Sequence, residues 1–322
     1  MHIPDGFLDA GVCAGTACLA GTGLAWAGRR VTARWNDQTV PLLGVMSAFV
    51  FAGQMVNFPV AGGTSGHLLG GVLAAVFLGP WAASMVLATV LVVQCFFFQD
   101  GGVTALGANA LNMALVAPWS GCVVYRLGLR GTRTERGRMA AVAVAAWVSV
   151  VLASLAAAAE LALSGRVGWK LVLPAMGLTH AVIGLGEAVI TVAVVSFVWQ
   201  VRPDLLYRPE TGRAASPSFR AVAGYGLLAS LGVVLLLAPL ASPLPDGLEA
   251  VAEKLGFAGR AGALLSAPLA DYEVAGWGGS AGSTILAGVA GTLLVFALAR
   301  LVGRLVRSAS RRKDAASRTD AS

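Results

Sequence analysis

Long apolar runs, separated by short polar stretches, most restrict what this chain can fold into. A helix that crosses a bilayer needs about 20 mostly apolar residues, and runs of this length recur along the 322 residues. Only 12% of the residues are charged, about half the share found in ordinary soluble domains. Segments 140–163 and 224–240 are apolar on every face, whereas the strands of a membrane barrel alternate. The sequence therefore predicts an all-α integral membrane protein.

We expect the apolar runs to form nine membrane-spanning helices in two groups. The predicted spans are 8–28, 40–58, 67–78, 80–98, 108–125, 139–163, 174–200, 219–241 and 283–303. The first seven spans would form a core bundle, and the last two would form a C-terminal transmembrane hairpin.

The basic residues indicate which way the chain crosses the membrane. Most of them follow the first, fifth, seventh and ninth predicted spans, and the opposite side receives only Arg166, Lys170, Lys254 and Arg260. Loops rich in lysine and arginine stay in the cytoplasm, so we predict a multi-pass protein of the bacterial cell membrane with an extracellular N-terminus. The net charge of +7 then reflects topology and predicts no nucleic-acid partner. The first residues lack the basic start of a signal peptide, so we expect Met1 to be retained.

Changes in composition divide the chain into four parts. We expect a transmembrane metal-binding domain over 1–200, a cytoplasmic linker over 201–218, a two-span companion domain over 219–304, and a basic disordered tail over 305–322. The companion domain would expose an acidic outward loop, about 242–282, that contains the segment Pro-Asp-Gly-Leu-Glu at 245–249.

Histidine is rare here, and its positions are informative. His2 follows the α-amine of Met1, so the amine, the His2 amide nitrogen and the His2 ring Nδ1 can form fused chelate rings. His67 is predicted on the same side of the membrane and offers a fourth nitrogen. A planar set of four nitrogens suits Ni²⁺ or Cu²⁺. The alternatives are an uninvolved His2 near the terminus and a His67 that only begins a helix.

His180 and Glu187 lie within a predicted span, two helical turns apart. Ionisable residues inside a membrane often mark an ion pathway. A packed polar pair is the other interpretation, and the sequence leaves both open.

Four segments together resemble one family, the substrate-capture (S) components of nickel/cobalt energy-coupling factor (ECF) transporters. These segments are Met-His-Ile-Pro-Asp-Gly-Phe-Leu at 1–8, the glycine-rich stretch 58–71, the stretch 99–109 with Asn112 and Met113, and His180 to Glu187. The Pro-Asp-Gly-Leu-Glu segment is similar to the small companion subunit (PDGLE-type) of the nickel systems, fused here at the C-terminus.

The resemblance implies a metal site and a set of partners. Met1, His2 and His67 would bind the transported Ni²⁺ or Co²⁺, with nickel favoured, and Ser65 and Asp100 would support these ligands. The companion hairpin would help to load the metal. No enzymatic activity and no prosthetic group are implied, and the phosphate-binding motif G-x-x-x-x-G-K-[ST] is absent from the sequence. ATP would be hydrolysed by partners, which are two ATPase subunits joined through a transmembrane coupling (T) subunit.

Three other functions are alternatives to this one. A cobalt importer component that serves cobalamin biosynthesis is the nearest. An autonomous proton-coupled metal carrier would use Glu160, Glu187 and Asp100 as a proton relay. An intramembrane metalloenzyme is disfavoured because the sequence contains no H-E-x-x-H motif.

Overall fold

The structure, a computed structural model, describes residues 1–33, 39–207 and 219–319. Its helices are α1 (Ala10–Ala33), α2 (Thr39–Gln54), α3 (Gly71–Leu78), α4 (Pro80–Val93), α5 (Leu106–Asn109), α6 (Ala117–Arg130), α7 (Glu135–Leu163), α8 (Trp169–Val201), α9 (Phe219–Leu237), α10 (Gly247–Lys254) and α11 (Ala281–Thr319). Short strands β1 (Phe58–Val60) and β2 (Thr64–Gly66) pair as an antiparallel hairpin. Most of the predicted linker, 208–218, lies outside the described residues.

The predicted all-α membrane fold is confirmed. Within the described part of the chain, six helical stretches are long and apolar enough to cross a bilayer. They are Ala10–Ala33, Pro80–Phe98, Glu135–Leu163, Trp169–Val201, Ala221–Leu240 and Ala281–Ser308. Val40–Gln54 forms a shorter apolar helix. The nine crossings and the outward N-terminus stay predictions.

The third apolar segment begins later than expected, and this places His67 outside a helix. We expected a span over 67–78, but α3 starts at Gly71. Gly70 adopts a φ of 79° and Gly79 a φ of 81°, a region that favours glycine, so the two glycines delimit one short, fully buried helix. His67 therefore lies in the connection between β2 and α3.

Two π-helical segments interrupt the helices near the N-terminal segment. Gln94–Phe98 continues α4, and Ala110–Val116 joins α5 to α6. Such segments add a residue to a helical turn and are frequent at functional sites. Here they border Gln94 and Asn109, two buried polar residues that contact the N-terminal segment.

The companion domain packs against the core bundle. Helices α9 and α11 lie against α2, and α10 lies against α8. A separate apolar cluster joins the N-terminal segment to α10 through Ile3, Phe7, Leu248 and Phe257. The outward loop that was predicted from composition is thus partly helical and covers the start of the chain.

The C-terminal segment differs from the expected disordered tail. In the structure α11 continues to Thr319, and residues 320–322 lie outside the described part. After Gly303 the sequence contains no glycine or proline and is rich in arginine and alanine, which favour helix, so nothing ends the helix at 305.

Candidate metal centre

Residues 1–8 are inserted into one end of the helical fold. Ile3 is fully buried, and Met1 and His2 are buried as well. The side chain of Asn109 accepts a hydrogen bond from the Ile3 amide at 2.8 Å and donates one to the Ile3 carbonyl at 3.0 Å. Gly102 also donates its backbone N–H to the Ile3 carbonyl. Asn109 thus holds the backbone of Ile3 as a neighbouring strand would, which fixes the two residues before it.

The α-amine of Met1 and the His67 ring come together, although the sequence separates them by 66 positions. The amine nitrogen lies 3.1 Å from His67 Nε2. His67 Nδ1 lies 3.0 Å from the Leu68 carbonyl oxygen, which can only accept a hydrogen bond. Nδ1 therefore carries the proton, and the lone pair of Nε2 faces the amine, as metal-ligating histidines require.

The His2 ring lies beside the His67 ring. The two ring centroids are 5.3 Å apart, with planes inclined by 23°. His2 Nδ1 is 3.0 Å from Asp100 Oδ1, and His2 Nε2 is 3.2 Å from Gln94 Oε1. A metal ion bound to Nδ1 has to displace Asp100 from that nitrogen. Gln94 would keep accepting the Nε2 hydrogen and so hold the tautomer that frees Nδ1.

Asp246, from the Pro-Asp-Gly-Leu-Glu segment, forms an ion pair with the Met1 α-ammonium. Its other carboxylate oxygen accepts hydrogen bonds from the amides of Leu248 and Glu249, and Glu249 accepts one from the Asp246 amide. This reciprocal arrangement is the capping box that starts α10. The motif therefore has a local role in beginning a helix and a long-range role at the N-terminus.

Ser65 and Asp100, the two expected supporting residues, have different surroundings. The Ser65 hydroxyl donates to the Leu244 carbonyl at 2.8 Å, and its amide donates to the Pro245 carbonyl. Ser65 thus anchors the companion loop and reaches the site only through it. Asp100 contacts His2 directly and accepts a hydrogen bond of 2.6 Å from the Tyr272 hydroxyl.

His180 and Glu187 do not form a pair with each other. Glu187 is fully buried, and its carboxylate accepts hydrogen bonds from the amides of Leu69 at 2.5 Å and Gly70 at 2.9 Å. The carboxylate therefore holds the connection that follows His67. His180 Nδ1 instead lies 2.9 Å from the Met176 carbonyl oxygen.

Electrostatic effects keep the His67 ring neutral and the side chains of Asp100 and Asp246 ionised. Burial lowers the pKa of His67 to about 3, an effect that the Met1 ammonium reinforces and Asp246 opposes. Burial alone would raise the pKa of Asp100 and Asp246, yet nearby positive charge and hydrogen bonds hold both below their usual value. For Asp100 the lowering comes from its contacts with His2 and the Tyr272 hydroxyl, and for Asp246 it comes first from the Met1 ammonium. Two ionised carboxylates therefore flank a neutral imidazole.

Four residues that contact the site were not predicted as site residues from the sequence. They are Asp246, Gln94, Tyr272 and Asn109. The positions of Gln94 and Asn109 within apolar stretches were a usable signal, because buried polar residues in membranes are costly. Nothing local indicated that Tyr272 would reach Asp100.

Histidine, cysteine and carboxylate side chains alone do not build a metal site here. In the described ranges 1–33, 39–207 and 219–319, no group of three or more such residues is arranged to hold an ion. The candidate centre depends on nitrogens of the chain terminus and backbone, which such a group omits.

Comparison with known proteins identifies relatives of both parts of the chain. Residues 2–205 match the family model described as "Cobalt uptake substrate-specific transmembrane region", and residues 220–308 match the PDGLE domain. The putative fused nickel transport protein NikMN of Archaeoglobus fulgidus is 36% identical over 311 residues, covering 96% of this chain and 100% of that protein. The cobalt transport protein CbiM of Sorangium cellulosum is 31% identical and covers 67% of this chain and 98% of its own length.

A solved structure shares the fold. The crystal structure of a truncated transition metal transporter is 37% identical, with a TM-score of 0.58, and covers 62% of this chain and 99% of its own. This likeness supports the helical arrangement described above.

Proposed function

The chain belongs to the family of cobalt-uptake substrate-specific transmembrane proteins and carries a fused PDGLE domain, and from this premise we propose that it captures Ni²⁺ at its own N-terminus for import. The ligands would be the Met1 amine, the His2 amide and Nδ1 nitrogens, and His67 Nε2. Its relatives are nickel and cobalt transport proteins, so it is a transport component.

The approach of the Met1 amine to His67 Nε2, at 3.1 Å, carries the proposal. Two lone-pair donors at this distance, with a second imidazole stacked beside them, can bind one ion after small movements. A square-planar set of nitrogens favours Ni²⁺ over Co²⁺, and Co²⁺ is the second candidate because the family model and the CbiM relatives refer to cobalt.

The companion domain would close the site from outside and help to load it. Asp246 can keep one hydrogen bond from the Met1 amine after the amine loses a proton, and this bond would orient the nitrogen lone pair toward the ion. The negative charges of Asp100 and Asp246 would balance the bound cation.

Energy would come from ATP hydrolysis by two partner ATPase subunits that act through a coupling subunit. The rival proton relay finds little support, because its three carboxylates have separate partners. Asp100 contacts His2, Glu160 accepts a hydrogen bond from Asn112, and Glu187 accepts from backbone amides. Metal uptake by this chain alone in liposomes with a pH gradient would favour the carrier.

Separating the amine from His2 by two residues tests the proposal. Insertion of Leu-Pro between Met1 and His2 in the full chain, held in lipid nanodiscs, should abolish tight Ni²⁺ binding in a calorimetric titration, because proline has no N–H and its nitrogen cannot continue the chelate rings from the amine to the His2 ring. Intact-mass measurement must first show a free Met1 amine. The matched control is the same insertion between Gly278 and Gly279, which are both exposed. Unchanged affinity after the first insertion would refute the chelate.

A further inference from the structure

His180 is a buried histidine with one ring nitrogen that has no partner. It lies on α8 and is 2% exposed. Nδ1 donates to the Met176 carbonyl oxygen at 2.9 Å, so Nε2 carries the free lone pair. Within the described part of the chain, Nε2 has no hydrogen-bond partner. Buried polar atoms are nearly always paired, so this orphan nitrogen needs an explanation.

A small cavity lies between His180 and the candidate centre. It is bordered by Met1, His67, His180, Asp246 and Gly247, among others, and its volume is about 10 Å³. This space is close to the lower limit for one water molecule, and a dehydrated first-row metal ion is smaller than a water molecule.

Gly247 keeps this cavity open. A Cβ atom at position 247 would lie 2.9 Å from His180 Nε2 and 2.6 Å from Ile183 Cδ1. Gly247 begins α10 and does not have a positive φ, so the glycine matters here for space rather than for an unusual φ. The companion loop therefore approaches His180 closely while leaving its lone pair accessible.

His180 and His67 both border this cavity, and their rings are held in the same way. Each ring donates its Nδ1 hydrogen to a backbone carbonyl, which leaves Nε2 as a potential ligand. Asp246 supplies a carboxylate at the same cavity. Imidazole and carboxylate together suit divalent first-row metals, although they cannot form the planar four-nitrogen set.

We propose that this cavity is a second, inner metal position, with His180 as its ligand, which the ion occupies after it leaves the N-terminal chelate. The inference rests on the proposed function. Fewer ligands hold an ion more weakly, and conduction requires successive sites that an ion can both enter and leave. His180 belongs to α8, and Glu187 of the same helix fixes the connection that follows His67. Helix α8 therefore positions the ligand of the inner site and also helps to position His67 in the outer site.

The inner position should be visible once the outer chelate is disabled. In the full chain with an acetylated Met1 amine, held in nanodiscs, titration with Co²⁺ alone should show weak residual binding with the intense visible absorption of tetrahedral or five-coordinate Co²⁺. His180→Asn should weaken the residual Co²⁺ affinity at least 10-fold, because asparagine can still donate to the Met176 carbonyl but lacks the second ring nitrogen. Leu185→Val, at an exposed position of the same helix, should retain it.

A second variant separates a ligand role from a packing role. Gly247→Ala leaves every donor atom in place and fills the cavity, so it should also lose the residual Co²⁺ signal. Thermal melting of each variant checks the fold. No residual binding in the acetylated chain, or binding that survives both His180→Asn and Gly247→Ala, would overturn the inner position. Tight binding that acetylation leaves unchanged would instead overturn the proposed function.

Discussion

The carboxylate of Asp246 pairs with the α-ammonium of Met1, two groups separated by 245 positions. This contact joins the companion domain to the first residue of the chain, and both partners are nearly buried. A buried ion pair that loses one partner leaves an uncompensated charge, which is strongly destabilising. Occupancy of the N-terminal site and docking of the companion loop should therefore depend on each other.

Asp246→Asn should weaken Ni²⁺ capture by about 10–100-fold, the usual effect of losing a residue that orients a metal ligand. The asparagine keeps the size of the side chain and can still accept hydrogen bonds at the start of α10, so the helix should survive. Isothermal titration of the full chain measures the loss. Asp271→Asn, at an exposed carboxylate of the same outward loop, is the matched control and should bind as the parent does.

Glu187→Gln should reduce stability by about 1–3 kcal/mol, because glutamine keeps one accepting oxygen and its NH₂ group leaves one buried backbone donor without a partner. Both oxygens of Glu187 are used by Leu69 and Gly70, so His67 should also lose its fixed position and capture should weaken. Thermal melting and Ni²⁺ titration report the two effects. Glu253→Gln, on the exposed face of α10, should change neither the melting temperature nor the Ni²⁺ affinity. A Glu187→Gln protein that melts at the parental temperature would show that these hydrogen bonds do not hold the connection after His67.

Much of the fold follows from the sequence, because a long apolar run permits few structures in a bilayer. The ends of the helices were harder to predict from the sequence, as α3 shows. Its start depends on the positive φ of Gly70 and on a carboxylate 117 residues away. Met1, His2 and His67 were expected together and lie together, whereas Asp246 and Tyr272 approach the site only through tertiary packing of the companion domain. Local spacing contains no information about that packing.

Asn109→Ala should release the N-terminal segment. It removes two hydrogen bonds to Ile3. The Ile3 carbonyl keeps the hydrogen bond from Gly102, but the buried Ile3 amide is left without a partner, at a cost of about 1–3 kcal/mol. Hydrogen exchange followed by mass spectrometry should show faster exchange in residues 1–8, while peptides from α7 serve as an internal reference and stay unchanged. Equal protection of residues 1–8 in both proteins would show that Asn109 is dispensable for insertion.

The metal-free protein should lose stability in two stages as the pH falls. His67 has a pKa of about 3 in the fold against about 6.5 in an unfolded chain, so the unfolded state gains a proton first and stability declines below about pH 6.5. Asp100 and Asp246 have depressed pKa values, so their stabilisation is present above about pH 4 and is lost below it. Melting temperatures measured with a chelator between pH 3 and pH 8 should show both stages.

The two stages can be assigned by substitution. His67→Ala should flatten the decline between about pH 6.5 and pH 4, the window set by its imidazole. Asp246→Asn should instead reduce the steeper loss below about pH 4. If neither variant alters its own stage, these groups do not govern the acid sensitivity of the fold.

The choice of metal should follow from the geometry of the ligands. Four nitrogens in one plane, one of them a deprotonated amide, exert a strong field that suits a d⁸ ion, so bound Ni²⁺ should be diamagnetic and free of bound water. Competition titrations should place Cu²⁺ first, Ni²⁺ second and Co²⁺ third, in the order that divalent metals follow at nitrogen sites. Magnetic susceptibility of the loaded protein in nanodiscs gives the spin state, with His67→Ala as the comparison, since loss of the fourth nitrogen should admit water and yield a paramagnetic ion. A paramagnetic Ni²⁺ complex in the parent protein would mean that the chain terminus does not form the planar chelate.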